Sequence, residues 1–235
     1  PKPLSMTIMG NRERLSLGGM AGGLPGVTTR FGLKRAGDEQ EADLACHQDG
    51  IRLNDGDTII CEVSNGGGWG DPLARDPDLV IADVKRGMLS WDEALQVYGV
   101  VEGGPDAIEA ARVAIRKERL ARAKPAAKPL AASDEIRNLA EGIEAPLAPG
   151  IVQRGRIAFA ERSGAPLAVS PGKWTDGCPT IEAFGTHSAQ VNHVAYLDPV
   201  TGELLSVDAI PVGFGCSFEV APDRLREGTP VPAFE

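Results

Sequence analysis

The residues best suited to chemistry lie in one run, Ser64-Asn65-Gly66-Gly67-Gly68-Trp69-Gly70-Asp71-Pro72-Leu73. Successive glycine amides can cradle an anion and an indole can wall a pocket. Gly66, Gly67, Gly68, Trp69, Gly70 and Asp71 are therefore the candidate substrate-pocket or interface residues. No Lys-Ser/Thr pair follows the glycines, as a phosphate-binding P-loop requires. Nor does a Gly-x-Gly-x-x-Gly open a helix at the dinucleotide-binding offset. Without those mechanical partners a structural or subunit-interface role outweighs direct catalysis, and Trp69 reads as a packing anchor. The catalytic residues are unknown at this stage.

Metal and nucleophile chemistry has less support. His187 and His193 stand six apart, a spacing that shares a face only on an extended strand, with the two roughly 20 Å apart. One ion cannot be held directly by both, so these histidines and His47 read as ordinary hydrogen-bonded or surface residues. Cys46, Cys61, Cys178 and Cys216 are scattered singly and read as buried reduced thiols. No metal site is assigned, and Cys178, Cys216, His187 and His193 are the weak candidates should zinc be found. Asp198 and Asp208 could pair as carboxylates, but the turn sequence around Asp198 suits a side chain that caps its own backbone.

The elements that position these residues follow from local signals. Asn54-Asp55-Gly56-Asp57 is a turn, and Thr58-Ile59-Ile60-Cys61-Glu62-Val63 is a β-branched strand feeding the glycine run. Behind the run, Asp76-Pro77 is an N-cap with proline at the first helical position, and Leu79, Val80, Val84 and Met88 can share a helical face. Ser90-Trp91-Asp92-Glu93 has capping-box spacing, and Tyr98-Gly99 closes that second helix. Gly104-Pro105 opens a third, reaching about Arg122, with Ile108, Ala111, Ile115 and Arg119 on one face.

Residues 124–133 form a Pro/Ala/Lys linker that should not pack well and mark the domain boundary. Beyond them, 134–142 is a short helix. Residues 151–160, 167–169, 190–196, 204–207 and 218–220 are strands, and Asp198-Pro199-Val200-Thr201-Gly202 is a hairpin turn. Residues 1–35 read as irregular apart from an apolar stretch at 4–9 that could be a strand.

Composition narrows the function classes. The 235 residues are 42% hydrophobic, enough for real cores, and carry a formal net charge of −9, which argues against nucleic-acid partners. No apolar run approaches the roughly 20 residues needed to span a bilayer. A cytoplasmic protein without nucleic-acid or membrane partners is the expectation.

The run Asn-Gly-Gly-Gly-Trp-Gly-Asp-Pro-Leu-Ala-Arg-Asp-Pro, with Val80, Asp83-Val84, Gly87, Ala94 and Tyr98-Gly99-Val100-Val101, resembles the C-terminal signature of the hydantoinase B/oxoprolinase family. Upstream, Asn11-Arg12 and Gly18-Gly19-Met20-Ala21-Gly22-Gly23-Leu24-Pro25-Gly26 extend the resemblance to about residues 1–101. In the second half, Lys173-Trp174-Thr175-Asp176-Gly177-Cys178 and the stretch from Tyr196 to Ala209 resemble the small gamma subunit of acetone carboxylase. That family normally carries two cysteine pairs there. Here only Cys178 remains, with Thr180, Asp198 and Thr201 at the other positions.

The resemblance implies an α+β fold: a mixed β/glycine-rich segment with a short helical C-terminal portion, then a small β-rich, degenerate zinc-ribbon-like domain. The corresponding domains are 1–123, a linker with short helix at 124–145, and 146–235. Because the chain opens on Pro1, it is expected to be the C-terminal part of a longer polypeptide. The implied function is a subunit of an ATP-dependent, biotin-independent ketone carboxylase that uses bicarbonate. A 5-oxoprolinase- or hydantoinase-type lactam hydrolase is the alternative, and a non-catalytic assembly module a third reading. Implied partners are a hydantoinase A-like ATP-using subunit, other carboxylase subunits and a small ketone or lactam. ATP and a divalent metal belong to the complete complex, and none is expected on this fragment.

Overall fold

A computed structural model describes residues 4–182 and 191–214. The first half opens with β1 (Leu4–Met9), β2 (Arg30–Lys34), β3 (Ala42–Leu44), β4 (His47–Leu53) and β5 (Thr58–Glu62). β1 and β4 make a two-stranded antiparallel ribbon, and β3-β2-β5 a three-stranded antiparallel sheet. Ile8, Leu33 and Ile51 form the core between them. The stretch expected to be irregular thus contributes β2, whose alternation is masked by Gly32 and flanking charge.

Three helices follow: α1 (Pro77–Lys85), α2 (Trp91–Tyr98) and α3 (Pro105–Arg122). Their ends match the expected caps. The Asp76 carboxylate accepts from Asp78 N–H, the Ser90–Glu93 box is closed in both directions, and Gly99 ends α2 at φ 62°. Their shared core is Val80, Ala94, Val100 and Ile108, each worth up to roughly 1.5–3 kcal/mol of burial for the larger side chains. Leu79 and Met88, expected on the buried face of α1, are instead exposed. Met88 falls beyond the helix end.

The 124–133 stretch, expected to pack poorly, is tied to the second half. Lys124 exchanges backbone hydrogen bonds with Thr180 at 2.8 and 3.0 Å, and Lys128 N–H donates to the Asp176 carbonyl at 2.7 Å. After α4 (Asp134–Leu139) come β6 (Glu144–Ala148), β7 (Ile151–Arg154), β8 (Ile157–Ala160), β9 (Pro166–Val169), β10 (Thr180–Glu182), β11 (Val191–Leu197) and β12 (Leu204–Pro211). The segment expected as one strand over 151–160 is a hairpin, because Gly155 adopts φ 51° and turns the chain. β6-β7-β8-β9 and β10-β11-β12 are two antiparallel sheets. Ile151, Leu167, Trp174, Cys178, Tyr196 and Leu205 fill the core they share, with the Trp174 and Tyr196 rings edge to face at 5.9 Å. The expected strand at 218–220 lies outside the described residues.

The whole is a mixed α/β chain of small antiparallel sheets and few helices. Its degenerate zinc-ribbon character is not evidenced.

Candidate functional site

The glycine run is the top layer of a stack. Its backbone bonds to the segment 20–24: Met20 N–H donates to Gly68 O at 2.9 Å, Gly68 N–H to Leu24 O at 2.8 Å, and Gly70 N–H to Met20 O at 2.9 Å. That segment in turn rests on β12. At Gly22, with φ 86°, a Cβ would lie 2.0 Å from the Leu204 carbonyl oxygen, and at Gly67 one would lie 2.2 Å from the Gly18 carbonyl oxygen. Side chains are excluded at these contacts because backbone meets backbone. A third tie lies further along the same face, where Ser16 Oγ and His193 Nε2 are buried 2.9 Å apart.

Asp71 joins the loop to everything below it. One carboxylate oxygen accepts from Leu73 N–H at 2.9 Å, capping the 3₁₀ turn Pro72–Ala74, and from Arg119 at 3.2 Å. The other accepts from Arg119 at 2.7 Å and from Leu204 N–H at 2.9 Å. The carboxylate is almost fully buried, and only a group that accepts on both oxygens satisfies all these donors. Arg119 also lies 3.5 Å from the Gly202 carbonyl in the hairpin turn. Leu24, Leu120 and Ala123 pack there against Leu197, Leu204 and Val207. Arg112 does similar work two turns earlier: its buried guanidinium donates to the carbonyls of Tyr98 at 3.2 Å and Arg75 at 2.6 Å. Burial, and then neighbouring Arg116, lower its pKa from the ordinary arginine value.

Above the stack is a groove of about 670 Å³ lined by Pro25, Val27, the glycine run, Trp69, Arg75 and Tyr98. Gly66, Gly67, Gly68, Trp69, Gly70 and Asp71 therefore come together at one place. Trp69 is no packing anchor, however. It is 71% exposed within this chain, and its backbone bridges to Met20. Met20 and Val27 are exposed nearby in sequence to the same segment. Arg75 lies 5.1 Å above the Tyr98 ring and pairs with Asp83 at 2.5 Å.

The other candidates do not assemble. His193 is buried on β11 against Ser16, and His47 is exposed on β4. His187 and Cys216 lie outside the described residues. Cys178 is buried, its Sγ 3.5 Å from the Trp174 carbonyl, and burial, then the Asp198 charge, push its thiol pKa up. Asp198 Oδ1 accepts from the N–H groups of Val200 and Thr201 at 2.8 and 3.0 Å, the self-capping expected of it. Asp208 faces Val194 across the β11–β12 ladder, well along the strand from that turn. Cys61, expected to be buried, is exposed on β5. Among the described residues no group of three His, Cys, Asp or Glu side chains could hold a metal ion.

The ATP and divalent metal implied for a complete complex do not fit the groove's donors. Among its described lining residues Arg75 is the cation, and Asp83 already neutralises it.

The described residues form a mixed α/β chain whose glycine loop rests on the 20–24 segment and, through it, on β12. Residues 1–72 match the sequence model of the family described as Hydantoinase B/oxoprolinase. The chain is 47% identical over 49 residues to the caprolactamase subunit beta of Pseudomonas jessenii, a stretch covering 21% of this chain and 8% of that protein. It is 38% identical over 82 residues to the acetone carboxylase alpha subunit of Xanthobacter autotrophicus, covering 31% of this chain and 11% of that subunit. A solved nucleotide-free acetone carboxylase, from work on ATP-dependent acetone carboxylation, is 28% identical over 52% of this chain and 21% of its own, with a TM-score of 0.40. That score is too low to argue a shared fold. The chain spans a small fraction of each relative, 8%, 11% and 21%. No helix among the described residues is long and apolar enough to cross a membrane.

Asp71 as a buried junction carries no sequence signal, because its partners Arg119 and Leu204 lie 48 and 133 residues away.

Proposed function

We propose that this chain is part of a subunit of a cytoplasmic, ATP-dependent, biotin-independent ketone carboxylase complex, which carboxylates a small ketone with bicarbonate. The observation that carries the reading is the 82-residue similarity to an acetone carboxylase alpha subunit, longer than the 49-residue match to a caprolactamase subunit. The second half, with its resemblance to the acetone carboxylase gamma subunit, supports the same choice. In this reading the chain contributes framework, and a hydantoinase A-like subunit uses the ATP. The groove around Trp69 is the docking surface for a partner subunit, since an exposed tryptophan on a rigid loop is the type of residue interfaces favour.

A lactam-hydrolase complex is the second reading, favoured by the higher identity, 47%, of the caprolactamase match. The test is substrate-dependent ATP hydrolysis by the subunit containing this chain, combined with the ATP-using subunit. Ketone- and bicarbonate-dependent ADP release supports the carboxylase, and release driven only by a cyclic amide supports the hydrolase. A Trp69→Ala variant that assembles normally yet turns nothing over would sink the docking role.

A further inference from the structure

We infer that the β11–β12 hairpin is a positioning element of the Trp69 groove, seated through Asp71, so that the groove keeps its shape only while the hairpin is docked. Three contacts carry this. The glycine run has the 20–24 segment as its floor, bonded through Gly68 and Gly70 N–H groups. That floor lies on the Leu204 carbonyl at a distance only Gly22 permits. The same residue, Leu204, sends its N–H to Asp71, the residue that ends the run. One strand end therefore holds the groove from both sides, through its carbonyl and its amide.

The energetic logic is that of a coupled unit. If β12 withdraws, Asp71 loses the Leu204 N–H donor and Arg119 its contact with the Gly202 carbonyl, leaving a buried carboxylate with one donor fewer. The floor segment simultaneously loses its support, and the three backbone bonds under Gly68 to Gly70 have nothing to press against. Opening at one place makes opening at the other favourable, as in a single cooperative element. A partner that pulled on the hairpin turn 198–202 would thereby change the groove some distance away. The inference concerns the groove itself and holds whichever reaction the complex performs.

Native-state hydrogen exchange on the whole chain tests it. In the unmodified protein, the Gly68, Gly70 and Leu204 amides should show one opening free energy and one denaturant slope. In Gly22→Ala, whose methyl would strike the Leu204 carbonyl, all three should exchange at least tenfold faster, with Ala158 in β8 changing less than twofold. Exchange that accelerates at Leu204 alone overturns the inference, and so does equal acceleration at Ala158, which signals global destabilisation. If Gly22→Ala does not fold, Asp71→Ala decides by the same amides, because it removes the acceptor of the Leu204 N–H. Should neither variant fold, distinct denaturant slopes for the three amides in the unmodified protein, or one slope shared with Ala158, overturn the inference, and a slope common to the three but different from that of Ala158 upholds it.

Discussion

The Arg119 guanidinium and the Asp71 carboxylate meet through two contacts, at 2.7 and 3.2 Å, with both side chains largely shielded from water. Truncating one member of such a pair leaves the other charge buried, which costs far more than an exposed ion pair is worth. Arg119→Ala should destabilise the chain by about 3 kcal/mol, the low end for buried pairs because the guanidinium keeps some solvent contact. Urea unfolding followed by circular dichroism measures it. A loss under about 1 kcal/mol would mean that the pair behaves as a surface one.

Two adjacent glycines should respond differently to the same methyl group. A Cβ on Gly66 meets nothing within 4 Å, whereas one on Gly67 would lie 2.2 Å from the Gly18 carbonyl. Gly66→Ala should change stability by no more than about 0.5 kcal/mol, and Gly67→Ala should cost roughly 1–3 kcal/mol. Thermal melts of the two variants side by side provide the comparison. Equal melting temperatures would contradict the stacked-loop geometry.

Acid should loosen the turn between β4 and β5. Asp57 accepts from the Asn54 and Ala36 N–H groups, then from Arg35, and these donors hold its carboxyl below the ordinary carboxylate range. The folded value is lower than the unfolded one, so the contribution is complete above the unfolded value. It is lost as pH falls through the depressed folded value. Unfolding midpoints of wild type and Asp57→Asn should therefore differ at neutral pH and converge as the pH falls below the ordinary carboxylate range. A gap that stays constant with pH would refute the assignment.

Thiol reactivity should follow burial. Cys61 is exposed, while burial pushes the Cys46 and Cys178 thiols up and shields them. Brief alkylation of the native chain, read by peptide mass spectrometry, should modify Cys61 and spare Cys46 and Cys178 until denaturant is added. Rapid native labelling of Cys178 would show that the core around it opens.

Zinc should be present at well below one ion per chain. Stoichiometric zinc by elemental analysis would overturn this and direct attention to Cys178 and to Cys216, His187 and His193. Substitution of those four residues would then identify the ligands.

Local signals in the sequence determined the elements whose causes are local. The Asp76 and Ser90 caps, the proline at the start of α3, the αL glycine after Tyr98 and the self-capped turn at Asp198 all sit where their neighbours in sequence dictate. Each needs only residues two to five positions away, so each was legible without a fold. The glycine run likewise announced an unusual backbone path, and its residue types pointed to the family that matches residues 1–72. What the glycines are for required the tertiary structure. Gly67 faces Gly18 across nearly fifty residues of chain, and Gly22 faces Leu204 across far more. Asp71 became a buried junction, and Trp69 an exposed wall, only when α3 and β12 arrived beside the loop. Contacts of that range leave no period or spacing in the sequence, because the chain that satisfies a donor or forbids a methyl group is brought there by the fold alone.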